Sequence, residues 1–380
     1  MKFNADKNLF HETIISASKA CAGKSALSIL DGILLTLTEN KLVITGYDLD
    51  IGIKSTITVD GTEDGHCITD PKLLSEMVKK MPGDSIDFTL EEKTIKITSG
   101  KSKLNLPYKS GDEFPNIIEI KKETAFEMSE KVLRDLLVRV EFATSPLKPE
   151  LECVHVNIKE DMLCSVASDS NRMAYNSCGG GHVAFGESAA AEVKFSMPMK
   201  AVYALVRELS AESDKKVSVS VDKKQICVSK ENFVLISRLL EAEYFNYQRV
   251  LENEFTKVIT VEVKELMSAL ERYLLITSEK FKIPTVLSVE STECGFMRLF
   301  CKTPTGELED EIPITVVEGE FDKFELNFNP RFMLEALQRT GCDNVVIGLS
   351  QSLKPFKIVP PLSDESGLGF VYIIVPIRSM

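Results

Sequence analysis

Apolar and polar residues alternate with period two over much of this chain and recur with a period near 3.6 in a few short stretches. One arrangement of the two patterns appears three times. Asp70-Pro71 opens KLLSEMVKKM, which Pro82-Gly83 stops before the alternating runs SIDFTL and TIKITS. Met197-Pro198 opens KAVYALVREL, followed by KVSVSV and QICVSK. Asn329-Pro330 opens RFMLEALQRT, followed by NVVIGL and FKIV. The prolines stand 127 and 132 positions apart, about a third of the 380 residues, so the sequence predicts three copies of one domain.

The copies agree in register. Three, six and seven positions after each proline lie Leu74, Met77 and Val78; Ala201, Ala204 and Leu205; Met333, Ala336 and Leu337. That spacing places one apolar stripe on a helix, and Pro71 and Pro330 are favourable first helical residues. A second helix per copy is predicted at Leu9–Ala20, Lys131–Ala143 and Lys264–Ile276, the first with Leu9, Thr13, Ala17 and Ala20 along one side and Ile14 beside them. Between the helices, runs such as ILLTLT, KLVITGYDLDIGIKSTITV, CVHVNI, DMLCSVAS, TVLSVE and FMRLFCK read as half-buried antiparallel strands. Gly179-Gly180-Gly181 is expected to turn between strands, and Pro146–Pro149 to form a loop. The fold class is therefore α+β: three repeated domains, each with two helices and antiparallel sheets. Phe114-Pro115-Asn116 and Tyr244-Phe245-Asn246 mark the joins, giving domains at 1–122, 123–254 and 255–380.

Charge changes this picture less than its local distribution does. The formal net charge is −12, which argues against holding nucleic acid by bulk electrostatics, so any such contact is local or topological. Bases do recur at matching places: Lys80, Arg207 and Arg339 nine positions after each proline, and Lys72, Lys200 and Arg331 one or two after it. All fall on the polar side of their helices, where solvated lysines are also ordinary. Glu76 and Glu335, four residues before Lys80 and Arg339, are placed to form helix-surface pairs. Nine cysteines without a CxxC pair, and a start without an apolar signal core, are expectations of a reduced cytoplasmic chain. No apolar run reaches the roughly 20 residues of a membrane span.

Catalytic chemistry finds little support. Ala22-Gly23-Lys24-Ser25 matches the end of a phosphate-binding loop, the basis of an alternative reading as a nucleotide-dependent enzyme, but Ser18 stands where that loop needs glycine. Cys178 and His182 bracket the glycine turn and supply two ligands where a structural zinc needs four. No catalytic residue, metal or cofactor is expected.

Several stretches, in order, resemble the bacterial DNA sliding clamps, the beta subunits of the replicative polymerase: MKF, LSILDGILLTL, ITGYDLDIGI, EFPNI, SDSNRMAY and the ending YIIVPIR. The chain departs from that family at Ser25 and Ser28, where prolines are usual, and in Ser168-Asp169-Ser170-Asn171-Arg172-Met173, where Thr-Asp-Gly-His-Arg-Leu is usual. The resemblance implies a nonenzymatic processivity factor: a head-to-tail homodimer with six domains in a ring, helices lining the hole and sheets outside. It implies that Lys24, Lys79, Lys80, Lys200 and Arg207 lie on or near the DNA side. It also implies a joint in which Leu104 and Leu106 meet Leu275 and Ile276 of the other chain, although from the residues alone ordinary core packing accounts better for those four. Finally it implies a groove between the second and third domains for short linear peptides of the polymerase, the clamp loader and repair factors. One wall would be Leu151, Ser168, Ser170, Asn171, Arg172 and Met173, with Phe245, Arg249 and Val250 from the join. The other would be Asn329, Phe332, Leu353 and Pro355, with Ile373, Ile374, Val375, Pro376, Ile377 and Arg378 from the last strand.

Overall fold

The structure, a computed structural model, describes residues 1–23, 27–92, 94–117, 124–159, 161–185, 192–277, 283–361 and 369–378. It contains two compact units, one of Met1–Leu133, Val183–Ala190 and Lys200–Glu241, the other of Arg134–His182, Ala191–Met199 and Ala242–Met380. Among the described residues there are seven α-helices: α1 Lys7–Ser18, α2 Pro71–Lys80, α3 Glu130–Val138, α4 Met199–Val206, α5 Gln248–Leu251, α6 Val263–Ile276 and α7 Pro330–Leu337.

In the first unit, α1 and α2 pack over strands of the first repeat. Asp6 caps α1 by accepting from Asn8 N and Leu9 N at 2.9 Å each, and Asp70 caps α2 by accepting from Leu73 N at 2.7 Å, so each helix starts where its short acid stands. The stripe of α1 differs from expectation: Phe10, Thr13, Ile14 and Ala17 are buried, while Leu9 is 53% exposed. Both phases share Thr13 and Ala17, and the larger Phe10 ring decides between them by packing edge-on to Phe3 and Phe88. Leu74 and Val78 of α2 join the same core; Met77 is only half-buried.

Among the described residues every strand pairing is antiparallel. A five-stranded sheet runs Asp60–Glu63, Lys2–Asp6, Ser85–Leu90, Thr94–Ser99, Ser102–Pro107, leaving the last at an edge. A ten-stranded sheet includes Ile33–Thr38, Lys41–Tyr47 and Ile51–Thr58 of the first repeat. It continues through Phe233–Arg238, Gln225–Lys230 and Lys216–Val221 of the second, joined where Phe233 pairs with Ser55 and Ser237 with Ile51. The second unit does the same with a twelve-stranded sheet: Arg172–Gly179 of the second repeat pairs with Gly369–Ile374 of the third, Arg172 opposite Ile374. Period-two burial on these strands follows from one face packing on helices and the other facing out.

Two helix expectations are corrected. The predicted helix Lys131–Ala143 ends at Val138 and resumes as a 3₁₀ turn, Glu141–Ala143, which sends the Phe142 carbonyl and ring toward the site described below. The helix expected over KAVYALVREL does open directly after Pro198, which closes the strand Glu192–Pro198, but α4 spans Met199–Val206 and stops short of Leu209. Gly180–His182 makes a short 3₁₀ turn closed by Gly180 N to Asp161 O at 2.9 Å. All nine cysteines are free thiols. No described helix is long and apolar enough to cross a membrane. The domain limit at 122–123 lies outside the described residues.

Candidate functional site

The turn Ser168–Arg172 is the centre of the second unit's candidate groove. Asp169 Oδ1 accepts from the amides of Asn171 and Arg172 at 2.9 Å each, and Ser168 Oγ donates to Arg172 O at 2.8 Å. This folds the turn tightly enough to hold Ser170 at φ 76°. Asn171 O then accepts from Val375 N at 2.8 Å, joining the turn to the last strand. Lys148 Nζ donates to Ser170 Oγ at 2.9 Å from the loop before Leu151.

The buried Arg172 does not offer its guanidinium to a ligand. Its Nε meets Asp169 Oδ2 at 2.9 Å, Nη1 donates to Glu335 of α7, and Nη2 donates to Phe142 O at 2.6 Å. Its Cζ sits 4.5 Å from the Phe332 ring centroid and 5.2 Å from that of Phe142. With donors and faces engaged, Arg172 is a buttress that fixes the turn against α7. The four-residue spacing along α7 sets Glu335 beside Arg339 on the helix surface. Instead Glu335 reaches Arg172, and Arg339 Nη2 pairs with Glu141 at 3.1 Å. The carboxyl of Glu141 is pushed up by burial, against the lowering effect of Arg339 and Arg134.

Beneath the turn, Met173 and Ile373 form an apolar cluster with Cys164, Val166 and Tyr247, against which Phe245 and Val250 pack. His155 stacks on Tyr244 at 4.7 Å with parallel rings and bonds Ser196 Oγ at 3.0 Å. Burial, then the charge of Lys194, holds the His155 imidazole down to about 4. In the sequence Tyr244 marks only the join, and Tyr247 and Phe142 carry no signal beyond ordinary core aromatics. Only the tertiary fold shows them supporting the turn.

The remaining expected groove residues are distributed as follows. Leu353 is 64% exposed and Val375 partly so; Ile374 and Pro376 are buried; Leu151, Pro355 and Ile377 are half-buried; Arg249 and Arg378 are exposed. Asn329 caps α7 through Arg331 N at 3.0 Å, one turn from Phe332, and Ile377 N donates to Asn327 O at 2.7 Å.

Of the expected cations, Lys24 lies outside the described residues. Lys72, Lys79 and Lys80 are exposed on α2, and Arg207 is exposed just past α4. Lys200 is exposed too, but its ammonium contacts Asp48 and donates to Cys21 O at 3.3 Å. Arg331 is exposed on α7, whereas Arg339 is drawn into its pair with Glu141. Of the expected joint, Leu104 is half-buried and Leu106 buried on the edge strand of the five-stranded sheet. Leu275 is 85% exposed and Ile276 half-buried at the end of α6.

Family models described as the N-terminal, central and C-terminal domains of the DNA polymerase III beta subunit match residues 1–118, 127–246 and 248–378. The beta sliding clamp of Vibrio cholerae is 28% identical over 384 residues, and that of Staphylococcus aureus 27% over 391; each alignment covers all of both chains. The solved beta subunit of DNA polymerase III from Thermotoga maritima superposes with a TM-score of 0.88 at 25% identity. The DNA polymerase sliding clamp from Bacillus subtilis does so with 0.88 at 24%, in both cases over the whole of both chains.

Proposed function

This chain belongs to the DNA polymerase III beta subunit family and is a DNA sliding clamp, and we propose that two copies close head to tail into a ring around duplex DNA. The three matched segments carry this reading. Three domains per chain, bounded near residues 122 and 254, make half of a six-domain circle. Two head-to-tail contacts close that circle with uniform polarity. Exposed Leu275 beside Ile276 supports placing the joint there, opposite the edge strand bearing Leu104 and Leu106.

The clamp acts without catalysis and works in the cytoplasm. It holds DNA by enclosure, so a net charge of −12 is tolerable and a few phosphate contacts from Lys24, Lys72, Lys79, Lys80, Lys200, Arg207, Arg331 and Arg339 suffice. The groove beside Ser168–Met173 and Val375 takes apolar peptide segments of the replicative polymerase, the clamp loader and repair factors. The apolar floor of Met173 and Ile373 and the exposed Leu353 and Val375 support that use.

The deciding experiment loads the protein on closed circular DNA and raises salt. It should stay bound through the rise and leave promptly when one cut makes the circle linear. Equal lifetimes on circular and linear DNA, both shortening with salt at one slope, would mean ordinary surface binding.

A further inference from the structure

The turn from Asp48 to Ile51 in the first unit is built like the turn from Asp169 to Arg172 in the second. Asp48 Oδ1 accepts from Asp50 N at 3.0 Å and Ile51 N at 2.7 Å, as Asp169 Oδ1 does from Asn171 N and Arg172 N. Leu49 has φ 81° where Ser170 has 76°, and Asp50 O accepts from Arg238 N as Asn171 O does from Val375 N. Ile51 therefore stands where Arg172 stands.

The two turns are held by different cations. Arg172 holds the second one itself: a single guanidinium takes Asp169 Oδ2, Phe142 O and, from α7, the carboxylate of Glu335. Ile51 can do none of this. Its work falls to Lys200 of α4, whose Nζ contacts Asp48 Oδ2 and donates to Cys21 O at 3.3 Å. Cys21 lies as far before Asp48 as Phe142 lies before Asp169. With a lysine as the clasp, the first turn needs no carboxylate from its helix. Five positions after the three prolines stand Glu76, Tyr203 and Glu335, so the second copy carries a ring where the others carry acids. Tyr203 is 51% exposed, although Val202 and Ala204 on either side are buried.

The neighbours of Tyr203 give that ring a use. Lys200, Tyr203 and Arg207 are spaced by three and four residues and share one helix face. Leu209 N donates to Leu205 O at 3.0 Å, which keeps the turn helical through Arg207. The two bases lie about 10 Å apart along the axis with the ring between them. Lys200 is largely neutralised by Asp48, whereas among the described residues no ion pair engages Arg207, and the carboxylate of Glu208 is taken by Lys19 at 2.6 Å. An exposed aromatic ring one turn from an uncompensated guanidinium matches one nucleotide, base on ring and phosphate on guanidinium. Bases inside a duplex are closed to such a ring, so the matching nucleotide is unpaired.

We propose that Tyr203 and Arg207 form a binding site for single-stranded DNA, the tyrosine stacking an unpaired base and the arginine holding the phosphate beside it. The choice of DNA as the nucleic acid, and its access to this face, rest on the ring proposed above; the match of ring and guanidinium to a nucleotide does not.

The test uses the full chain and a 20-nucleotide DNA strand with a central 5-iodouracil, either single or annealed to its complement. After irradiation, crosslinked segments are mapped by mass spectrometry. The single strand should label the segment holding Tyr203 at least tenfold more than the duplex does. Y203E, which installs the residue type of the other two copies, should cut that labelling at least tenfold, while Y203F, which keeps the ring, should hold it within about twofold. R207A should weaken single-strand binding, read by fluorescence anisotropy, and lower its salt slope by about 0.7. Thermal midpoints of all three variants should match the parent's, since both side chains are exposed. Equal labelling by strand and duplex, labelling indifferent to Y203E, or equal loss in Y203F would overturn the stacking site and leave the clamp standing. So would absence of labelling at Tyr203 in a protein that is retained on circular DNA. Absence of both labelling and retention would overturn the site and the ring together.

Discussion

Arg172 is a cation whose value lies in what it holds still. Removing it leaves Asp169 and Glu335 facing each other without their shared partner, and loss of one member of a buried charge group costs about 3–5 kcal/mol. Because Glu335 is partly exposed, R172A should fall near the lower end, about 3 kcal/mol, measured by urea unfolding. E335Q keeps an acceptor and should cost less. His155 gives a pH signature at the same scale. Its imidazole titrates near 6.5 when unfolded and is held to about 4 in the fold, so between those values the unfolded chain binds a proton that the native one refuses. This contribution is complete above pH 6.5 and lost as pH falls toward 4, roughly 3 kcal/mol at most. H155F, which keeps a ring on Tyr244, should flatten stability over that interval; an unchanged slope would assign it to other groups.

At the level of elements, the sequence was informative wherever one residue's neighbours along the chain decide its state. Asp70 and Asn329 before Pro71 and Pro330 predict two helix starts, and in the fold both side chains cap those helices. Period-two runs predict the strands SIDFTL, TIKITS, KVSVSV, QICVSK, NVVIGL and FKIV at their observed places. The phase of α1 was missed because two stripes share Thr13 and Ala17, and the break after Val138 because its cause is tertiary. Leu74→Ala, which empties a fully buried site on α2, should destabilise by about 2–5 kcal/mol in thermal or urea unfolding, with no change in peptide binding. Val375→Asp, just past the last strand, should do the reverse: weaken binding of an apolar polymerase-tail peptide at least tenfold, read by fluorescence anisotropy, with stability little changed because the side chain is partly exposed.

For the whole molecule, the prediction concerns closure. Leu275 and Ile276 replaced together by glutamate should yield monomers in sedimentation, since like charges at a head-to-tail joint are desolvated without partners. The monomer should keep peptide binding and lose retention on circular DNA. A stable dimer after the double change would remove those residues from the joint.

The sequence by itself determined the threefold repeat, the type and place of most elements and the family, because periodicity, caps and turn residues act between near neighbours. Only the tertiary structure decided the long-range partners. Arg172 could have met any of several acids, and Glu335 was locally placed for Arg339. The fold instead brought Arg172 to a carboxylate 163 residues away and gave Arg339 to Glu141. Sheet pairing likewise joins Arg238 to Asp50 and Val375 to Asn171, making two turns equivalent. Charge and hydrogen-bond complementarity are satisfied by whichever groups packing makes adjacent, and adjacency between distant segments is set by strand register rather than by spacing along the chain.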